Sequence, residues 1–207
     1  MNTSYLIKML GEISATMNEK REYLINLDSI VGDGDLGLTM TKGFAAAYDN
    51  AASGGETDAG RLLYNAGKAM SSAAPSTMGT LMALGLMQGG KVLKGKTELA
   101  DGDIADFLAA YEEAVQSRGK AKLGEKTFLD GFHPGVTALK EALAAGESLA
   151  DATAKAAAAA EEGFISTHTM LAVHGKAAVK GEASRDMDDP GAAVAMLIMG
   201  AIAKASA

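Results

Sequence analysis

Apolar residues recur along this chain at the spacing of α-helices, and no segment shows the strict alternation that is typical of a half-buried strand. Ala, Leu and Met are abundant whereas Val and aromatic residues are sparse, and this mixture favours helix over sheet. We therefore predict an all-α fold of about eight helices with short connections, in which neighbours are mostly antiparallel. The first apolar series consists of Tyr5, Leu6, Met9, Leu10 and Ile13.

Breaks in this pattern set the expected helix boundaries. A first helix should run from about residue 3 towards residue 26 with a break inside it, and a second should start near Gly37. The segment Ser71 to Gly79 contains Pro75 and is predicted to be a loop before a central helix, Leu81 to Gln88. Pro134 should kink or interrupt a later helix. Two further helix starts carry cap signals, namely Ser148 with Asp151 and Asp189 with Pro190.

Charge and composition exclude several classes of function. The formal net charge of −7 gives no basis for binding nucleic acid or an anionic membrane. The absence of cysteine excludes a disulfide framework, a thiolate zinc site and a cysteine nucleophile. No basic segment precedes an apolar core at the N-terminus, and the apolar runs are broken by Gly, Lys or Gln. We expect one cytoplasmic domain covering residues 1–207, without a membrane span.

The most informative segment is an acidic loop that precedes the helix near Gly37. Asp28, Asp33 and Asp35 fall within eight residues there, interleaved with glycines. Carboxylates brought together repel one another unless a cation lies between them, and hard oxygen ligands suit Mg²⁺ bound to phosphates. The loop therefore predicts a magnesium–nucleotide site. The alternative is an ordinary Asp-Gly-Asp turn, although Asp28 lies in an apolar helical pattern where a turn needs no acid.

Other motifs match known sites less well. The glycines of the acidic loop read G-x-G-x-x-G, but the dinucleotide fingerprint needs a preceding strand, and the preceding residues have helical character. An EF-hand loop from Asp33 would need Glu at position 44, which is Phe. Gly90 to Thr97 matches the P-loop pattern but follows a predicted helix, which favours a helix end with a basic last turn. The histidines lack a convincing ligand spacing.

Two helix starts are further candidates for phosphate binding. The hydroxyls and glycine of Pro75 to Thr80 precede the most apolar helix, where backbone N–H groups and the helix dipole can hold an anion. The alternative for this segment is an ordinary N-cap without a ligand. The segment Asp189 to Gly191 has the same two interpretations.

Taken together, these motifs resemble the nucleotide-binding (L) subunit of dihydroxyacetone kinases. The spacing Leu27-Asp-x4-Asp-Gly-Asp-x-Gly37 is similar to the metal motif of that family, and Ser71 to Gly79 resembles its phosphate-holding loop. Ser117 to Ala121 with Gly124 to Asp130 is similar to a central signature, and Gly175 to Gly191 to a C-terminal one. The likeness is spread over most of the chain.

The resemblance implies a barrel of eight antiparallel amphipathic helices with the nucleotide at one end. Asp28, Asp33 and Asp35 would hold two Mg²⁺ ions that bridge the phosphates of ADP or ATP. Position and electrostatics would supply catalysis, without a covalent protein nucleophile. The residues implied to line the nucleotide pocket are Leu36, Gly37, Leu38, Thr39, Ser76, Thr77, Met78, Gly124, Lys176, Asp189, Pro190 and Gly191.

The resemblance also implies a phosphotransferase of the glycerone kinase type that is active only with a partner. The substrate, dihydroxyacetone or a related short ketose or tetrose, would sit on a separate K subunit. The donor stays open between ATP exchanged at each turnover and a bound ADP rephosphorylated by a phosphotransferase-system protein. The oligomeric state, including a homodimer, also stays open. Two alternatives are a nucleotide-loaded regulatory module that docks on a partner such as a transcription factor, and a helical structural protein.

Three positions depart from the family pattern. Leu36 stands where His is frequent, so any polar contact of that His is lost. The phosphate loop reads Pro75 to Gly79 instead of Gly-Gly-x-Ser-Gly, so its hydroxyls have moved. Lys176 stands where Arg is common, which turns a planar, bidentate contact into a point charge.

Overall fold

The computed structural model describes all 207 residues and contains helices but no strands, which confirms the all-α prediction. Two 3₁₀ segments, Thr167–Thr169 and Ala177–Asp186, lie in the long connection before the last helix. No helix is both long enough and apolar enough to cross a lipid bilayer. The nine α-helices are α1 Thr3–Glu19, α2 Arg21–Val31, α3 Leu36–Ser53, α4 Ala59–Ala73, α5 Thr77–Val92, α6 Asp101–Gly119, α7 Phe128–Ala144, α8 Leu149–Ser166 and α9 Pro190–Ser206.

The helices pack in a cyclic order. From α3 to α9 each helix contacts the next, α9 returns to α1, and α1 contacts α3, while α2 lies on α3. Packed neighbours joined by short connections run antiparallel, so the N-terminal ends of α3, α5 and α7 share one end of the bundle. α9 follows a long connection but starts at the same end, because Gly191 lies against the backbone of Phe128 at the start of α7. The connections that precede these four helices therefore meet at that end, which we call the loop end.

A continuous core of 47 buried apolar residues fills the space between the helices. Aromatic rings from α6 and α7 form one part of it, where Phe128 and Phe132 stack with ring centroids 4.8 Å apart. The hydroxyl of Tyr111 hydrogen-bonds to the sulfur of Met82, and burial raises the pKa of Tyr111. These contacts fix α5, α6 and α7 relative to one another.

Most helix boundaries follow the sequence, and two differ. The first helical region is broken at Lys20 as expected, but it continues to Val31, so Asp28 lies on a helix. The predicted loop from Ser71 to Gly79 is too long, because only residues 74–76 lie outside the helices. The helix continues because the Ser72 hydroxyl bonds back to the Lys68 carbonyl at 3.2 Å instead of competing with the helix.

Two helices differ from the expectations for their interiors. Pro134 lies inside α7 but does not interrupt it, since the helix is continuous from Phe128 to Ala144. The most buried helix is α9, with eleven buried residues against seven in α5, because its many alanines let α1, α7 and α8 approach it together. The predicted central helix, α5, instead lies between α4 and α6.

The segment that matches the P-loop pattern is a helix end, as the sequence favours. α5 continues through Gly90 to Val92 and carries Lys91 in its last turn. A Cβ atom at Gly90 would lie 2.9 Å from the Cβ atom of Leu63, so this glycine serves the close packing of α5 on α4.

Candidate functional site

Every residue implicated by the sequence lies at the loop end, in a connection or in the helix turn on either side of it. Side-chain contacts join three of the four connections there. His174, in the α8–α9 connection, hydrogen-bonds through Nε2 to Oε2 of Glu125 at 2.6 Å. Two residues further on, the ammonium of Lys176 pairs with Asp33 in the acidic loop. The fold therefore brings segments from distant parts of the sequence into one region.

The three aspartates converge. One carboxylate oxygen from each of Asp28, Asp33 and Asp35 can be chosen so that all three lie within 4.8 Å of one another. Asp28 sits in the last turn of α2 and is half-buried, and its Oδ2 accepts a hydrogen bond from the Leu36 amide at 3.3 Å. Asp35 precedes the first turn of α3 but makes no side-chain capping bond, so its oxygens stay available to a ligand.

Glycines make the sharp turn of the acidic loop feasible. Gly34 has φ +73°, and a Cβ atom there would lie 2.4 Å from the Ser29 hydroxyl. A Cβ atom at Gly37 would lie 2.2 Å from the carbonyl oxygen of Arg21, so this glycine lets α3 start against α2. The G-x-G-x-x-G spacing thus follows from a helix–turn–helix connection and not from a strand-based dinucleotide fold.

Electrostatics at the acidic loop favour a cation. The hydrogen bond from Lys176 lowers the pKa of Asp33, and the same contact raises the pKa of Lys176, with further contributions from Asp35 and Asp28. A positively charged group thus already shares the space of the three carboxylates. Oxygen donors of this kind in an open loop fit Mg²⁺, which binds proteins through few carboxylates and keeps waters or phosphates.

The start of α5 combines a cap with a cavity. Ser76 is the N-cap, and its hydroxyl accepts a hydrogen bond from the Gly79 amide at 3.0 Å, as the simple cap interpretation expects. A cavity of about 690 Å³ adjoins it. Met78 does not line this cavity but packs on the core. The lining residues are Ser71, Pro75, Ser76, Thr77, Thr80, Leu81, Arg118 and Gly119.

Arg118 is a candidate that we did not single out from the sequence. It lies in the last turn of α6, its side chain is exposed, and it makes no ion pair with a carboxylate. A free guanidinium that lines the same cavity as Ser76 and Thr77 can bind phosphate or ribose oxygens. The available signal was the likeness of Ser117 to Ala121 to a family signature.

The α6–α7 connection contains a second residue that sequence reasoning missed. Lys126 is buried with φ +60°, and its ammonium donates to the Thr167 carbonyl at 2.7 Å. Burial lowers the pKa of Lys126. Nearby, the amide of Gly124 donates to Asp130 Oδ1 at 2.5 Å, and Asp130 completes the capping box of α7 with Thr127. This connection is therefore held from both sides.

Asp189 caps α9, as the sequence predicts. Its Oδ2 accepts a hydrogen bond from the Ala192 amide at 2.7 Å, and Pro190 occupies the first turn. Burial raises the pKa of Asp189 to about 7. Asp189 and Pro190 are both buried, so Gly191, which lies against the Phe128 backbone, is the only partly exposed residue of the three.

The first turn of α3 divides into two faces. Leu36 and Gly37 are buried against the core, whereas Leu38 is exposed and Thr39 is half-buried. Leu36 thus packs inward at the position where the family frequently has His. The Leu36 amide is bonded to Asp28, and Leu38 and Thr39 form the exposed side of this turn.

Solved structures share this fold. The dihydroxyacetone kinase of C. freundii matches in its native form with a TM-score of 0.69 and 22% identity, over 96% of this chain and 34% of that one. The same kinase in complex with AMP-PNP and Mg²⁺ matches with a TM-score of 0.70 and 21% identity, over 96% of this chain and 33% of that one. The fold is therefore that of a helical portion of this kinase.

The chain belongs to the DAK2 domain family, whose model matches residues 30–204. The ADP-binding subunit DhaL of PEP-dependent dihydroxyacetone kinase 2 from Listeria innocua is 32% identical over 143 residues, or 68% of this chain and 66% of that protein. The corresponding Escherichia coli subunit is 29% identical over all of this chain and 98% of its own length. The L-erythrulose kinase of Pectobacterium atrosepticum is 35% identical over 150 residues, but the chain spans only 25% of it. The resemblance seen in the motifs is confirmed.

Proposed function

We propose that this chain is the ADP-binding subunit of a kinase that phosphorylates dihydroxyacetone or a related short ketose such as erythrulose. The observation that carries the proposal is the convergence of Asp28, Asp33 and Asp35 within 4.8 Å, at the end of the bundle where the other candidate segments gather. Relatives named as ADP-binding subunits, and a similar kinase solved with AMP-PNP and Mg²⁺, support it.

The three aspartates would hold two Mg²⁺ ions against the nucleotide phosphates. When bound, the metal neutralises charge that builds on the transferred phosphoryl group. Within the chain, the Leu36 amide orients the Asp28 carboxylate, and Asp35 stays free of capping. The next amides of α3, those of Gly37 and Leu38, lack helical acceptors and would be available to phosphate oxygens. No protein nucleophile is needed for this chemistry.

Several side chains and backbone groups would complete the nucleotide pocket. Arg118 and the hydroxyls of Thr77 and Thr80 line a common cavity, whereas the Ser76 hydroxyl is already engaged as a cap. Lys176 would reach the phosphates from the opposite connection. The backbone around Gly124 and Gly191 and the exposed side of Leu38 and Thr39 would contribute the remaining surface. Asp189 would act through its cap and would not be a direct ligand.

The activity would require a second chain. The whole kinases among the relatives are three to four times longer than the matched part, since this chain spans 25% of one and 34% of another. By the family resemblance, and because similar proteins are named as subunits, a K-type subunit would hold the sugar-like substrate. Subunits of similar length to this chain are described as PEP-dependent or PTS-dependent. This favours a bound ADP that a phosphotransferase-system protein rephosphorylates, over ATP exchanged at each turnover.

Mass spectrometry of the gently purified protein, first native and then denatured, tests the proposal. We expect bound ADP with about two magnesium ions. Asp33→Asn should lose the nucleotide, while Asp49→Asn, an exposed residue of α3 without an ion pair, is the matched control. A wild-type protein that binds neither ADP nor ATP with Mg²⁺ would refute the proposal. A turnover assay with a K-type partner then separates a kinase subunit from a module that only docks.

A further inference from the structure

Lys176 reaches the acidic loop from the far side of the loop end. Its ammonium pairs with Asp33, and its stem passes over Gly32, where a Cβ atom would lie 3.3 Å from Lys176 Cδ. The Lys176 side chain is 57% exposed and that of Asp33 is 56% exposed. Such a pair at the surface opens at little cost, so the lysine can change partners.

The backbone that carries Lys176 is held in place by its neighbours. His174 is bonded to the Glu125 side chain at 2.6 Å, and the Val173 amide donates to the Glu125 carbonyl at 3.3 Å. Gly175, with φ +66°, makes the turn that directs the following residue towards the acidic loop. A change of partner therefore needs only rotation of the Lys176 side chain and no movement of the connection.

A divalent cation and the ammonium compete for the same carboxylates. When the metal binds without a nucleotide, either the Lys176 ammonium moves into water or it stays and repels the metal. Both outcomes weaken metal binding. If the metal arrives with a nucleotide, phosphate oxygens offer the ammonium a new anionic partner. A lysine suits such an exchange, since its compact charge and rotatable donors do not depend on planar, bidentate geometry.

We propose that Lys176 makes this site selective for the metal–nucleotide complex over the free metal ion. It does so by occupying the acidic loop until phosphates accept its ammonium. The inference rests on the proposed function and adds a thermodynamic coupling to it. Because coupling between two ligands is reciprocal, metal should also strengthen nucleotide binding more in the wild type than in a variant without the lysine.

The test compares Mn²⁺ binding, followed by electron paramagnetic resonance, with and without ADP. Lys176→Met should bind Mn²⁺ alone up to about fivefold more tightly than the wild type, since an exposed ion pair is worth no more than that. It should also show a smaller gain in Mn²⁺ affinity on addition of ADP. Lys180→Met is the matched control, because Lys180 lies in the same connection, is exposed and makes no ion pair. Its Mn²⁺ affinities should stay within about twofold of the wild type.

Lys176→Arg distinguishes charge from shape. This variant keeps the positive charge, so its affinity for Mn²⁺ without ADP should be as low as that of the wild type. If Lys176→Met leaves the affinity for Mn²⁺ alone unchanged and only weakens ADP binding, the inference is overturned and Lys176 is a nucleotide ligand only. That result would leave the proposed function intact. Wild-type protein that binds no Mn²⁺ even with ADP would instead refute the proposed function itself, together with this coupling.

Discussion

Asp189→Asn should make the protein more stable at neutral and alkaline pH, although it removes a carboxylate from a helix N-terminus. The Asp189 side chain is buried under the start of α9, and burial raises its pKa to about 7. Lys126 lowers this pKa and Asp130 raises it, but both effects are smaller than that of burial. Asparagine caps helices as well as aspartate does, so the bond to the Ala192 amide can be kept without a charge.

The expected magnitude follows from the two pKa values of Asp189. In the unfolded chain the pKa of an aspartate is about 3.9, so the native state binds more protons than the unfolded state between about pH 4 and pH 7. The free energy of unfolding of the wild type therefore falls as the pH rises through this range. Since one pKa unit is worth about 1.4 kcal/mol, the loss from Asp189 is at most about 4 kcal/mol above pH 7.

Urea unfolding of wild type and Asp189→Asn, followed by far-UV circular dichroism at several pH values from 4.5 to 8, isolates this group. The difference in unfolding free energy should be small at the acidic end and grow to about 2–4 kcal/mol in favour of the variant at pH 8. Asp151→Asn, in the first turn of α8, is the control for an exposed acidic residue at a helix N-terminus. If Asp189→Asn is less stable than the wild type at pH 8, the native state tolerates the ionised carboxylate without penalty, burial has not raised the pKa of Asp189, and the reasoning fails.

Three further predictions address the site. Asp33→Asn should lower the affinity for Mg²⁺–ADP at least tenfold in calorimetry, since it removes one of three carboxylate ligands. Asp49→Asn is the control, and an unchanged affinity of Asp33→Asn would show that Asp33 is not part of the site. Arg118→Met should weaken ADP binding about fivefold, because an exposed ion pair is worth about that much. Lys122→Met is the control, and an equal loss of ADP affinity in both variants would exclude a specific contact of Arg118 with the nucleotide. Ser76→Ala should lower the free energy of unfolding by about 1 kcal/mol through loss of the cap, and a fall in ADP affinity beyond twofold would give its hydroxyl a second role.

Local signals in the sequence predicted the parts of this protein that depend on local interactions. The starts of α8 and α9 follow from Ser148 and Asp189, because an N-cap bonds to amides only two or three residues away. The acidic loop was identifiable for the same reason, since its three carboxylates lie within eight residues and repulsion between them needs no knowledge of the fold. The helix boundary near Ser71 was missed because serine stabilises both helix ends and helix interiors.

Residues whose roles depend on distant partners could not be assigned from spacing. Lys126 looks like an ordinary loop lysine until the fold places the Thr167 carbonyl against its ammonium, 41 positions further along the chain. Lys176 is a nucleotide candidate by resemblance, but only the cyclic order of the helices brings it onto Asp33. Each lysine links two connections that lie next to each other at the loop end because the helices pack antiparallel. The three aspartates are neighbours in the sequence, whereas Lys176, which pairs with Asp33, is distant from them. The sequence therefore reveals the negative charges of this site, and the fold is needed to find the positive charge beside them.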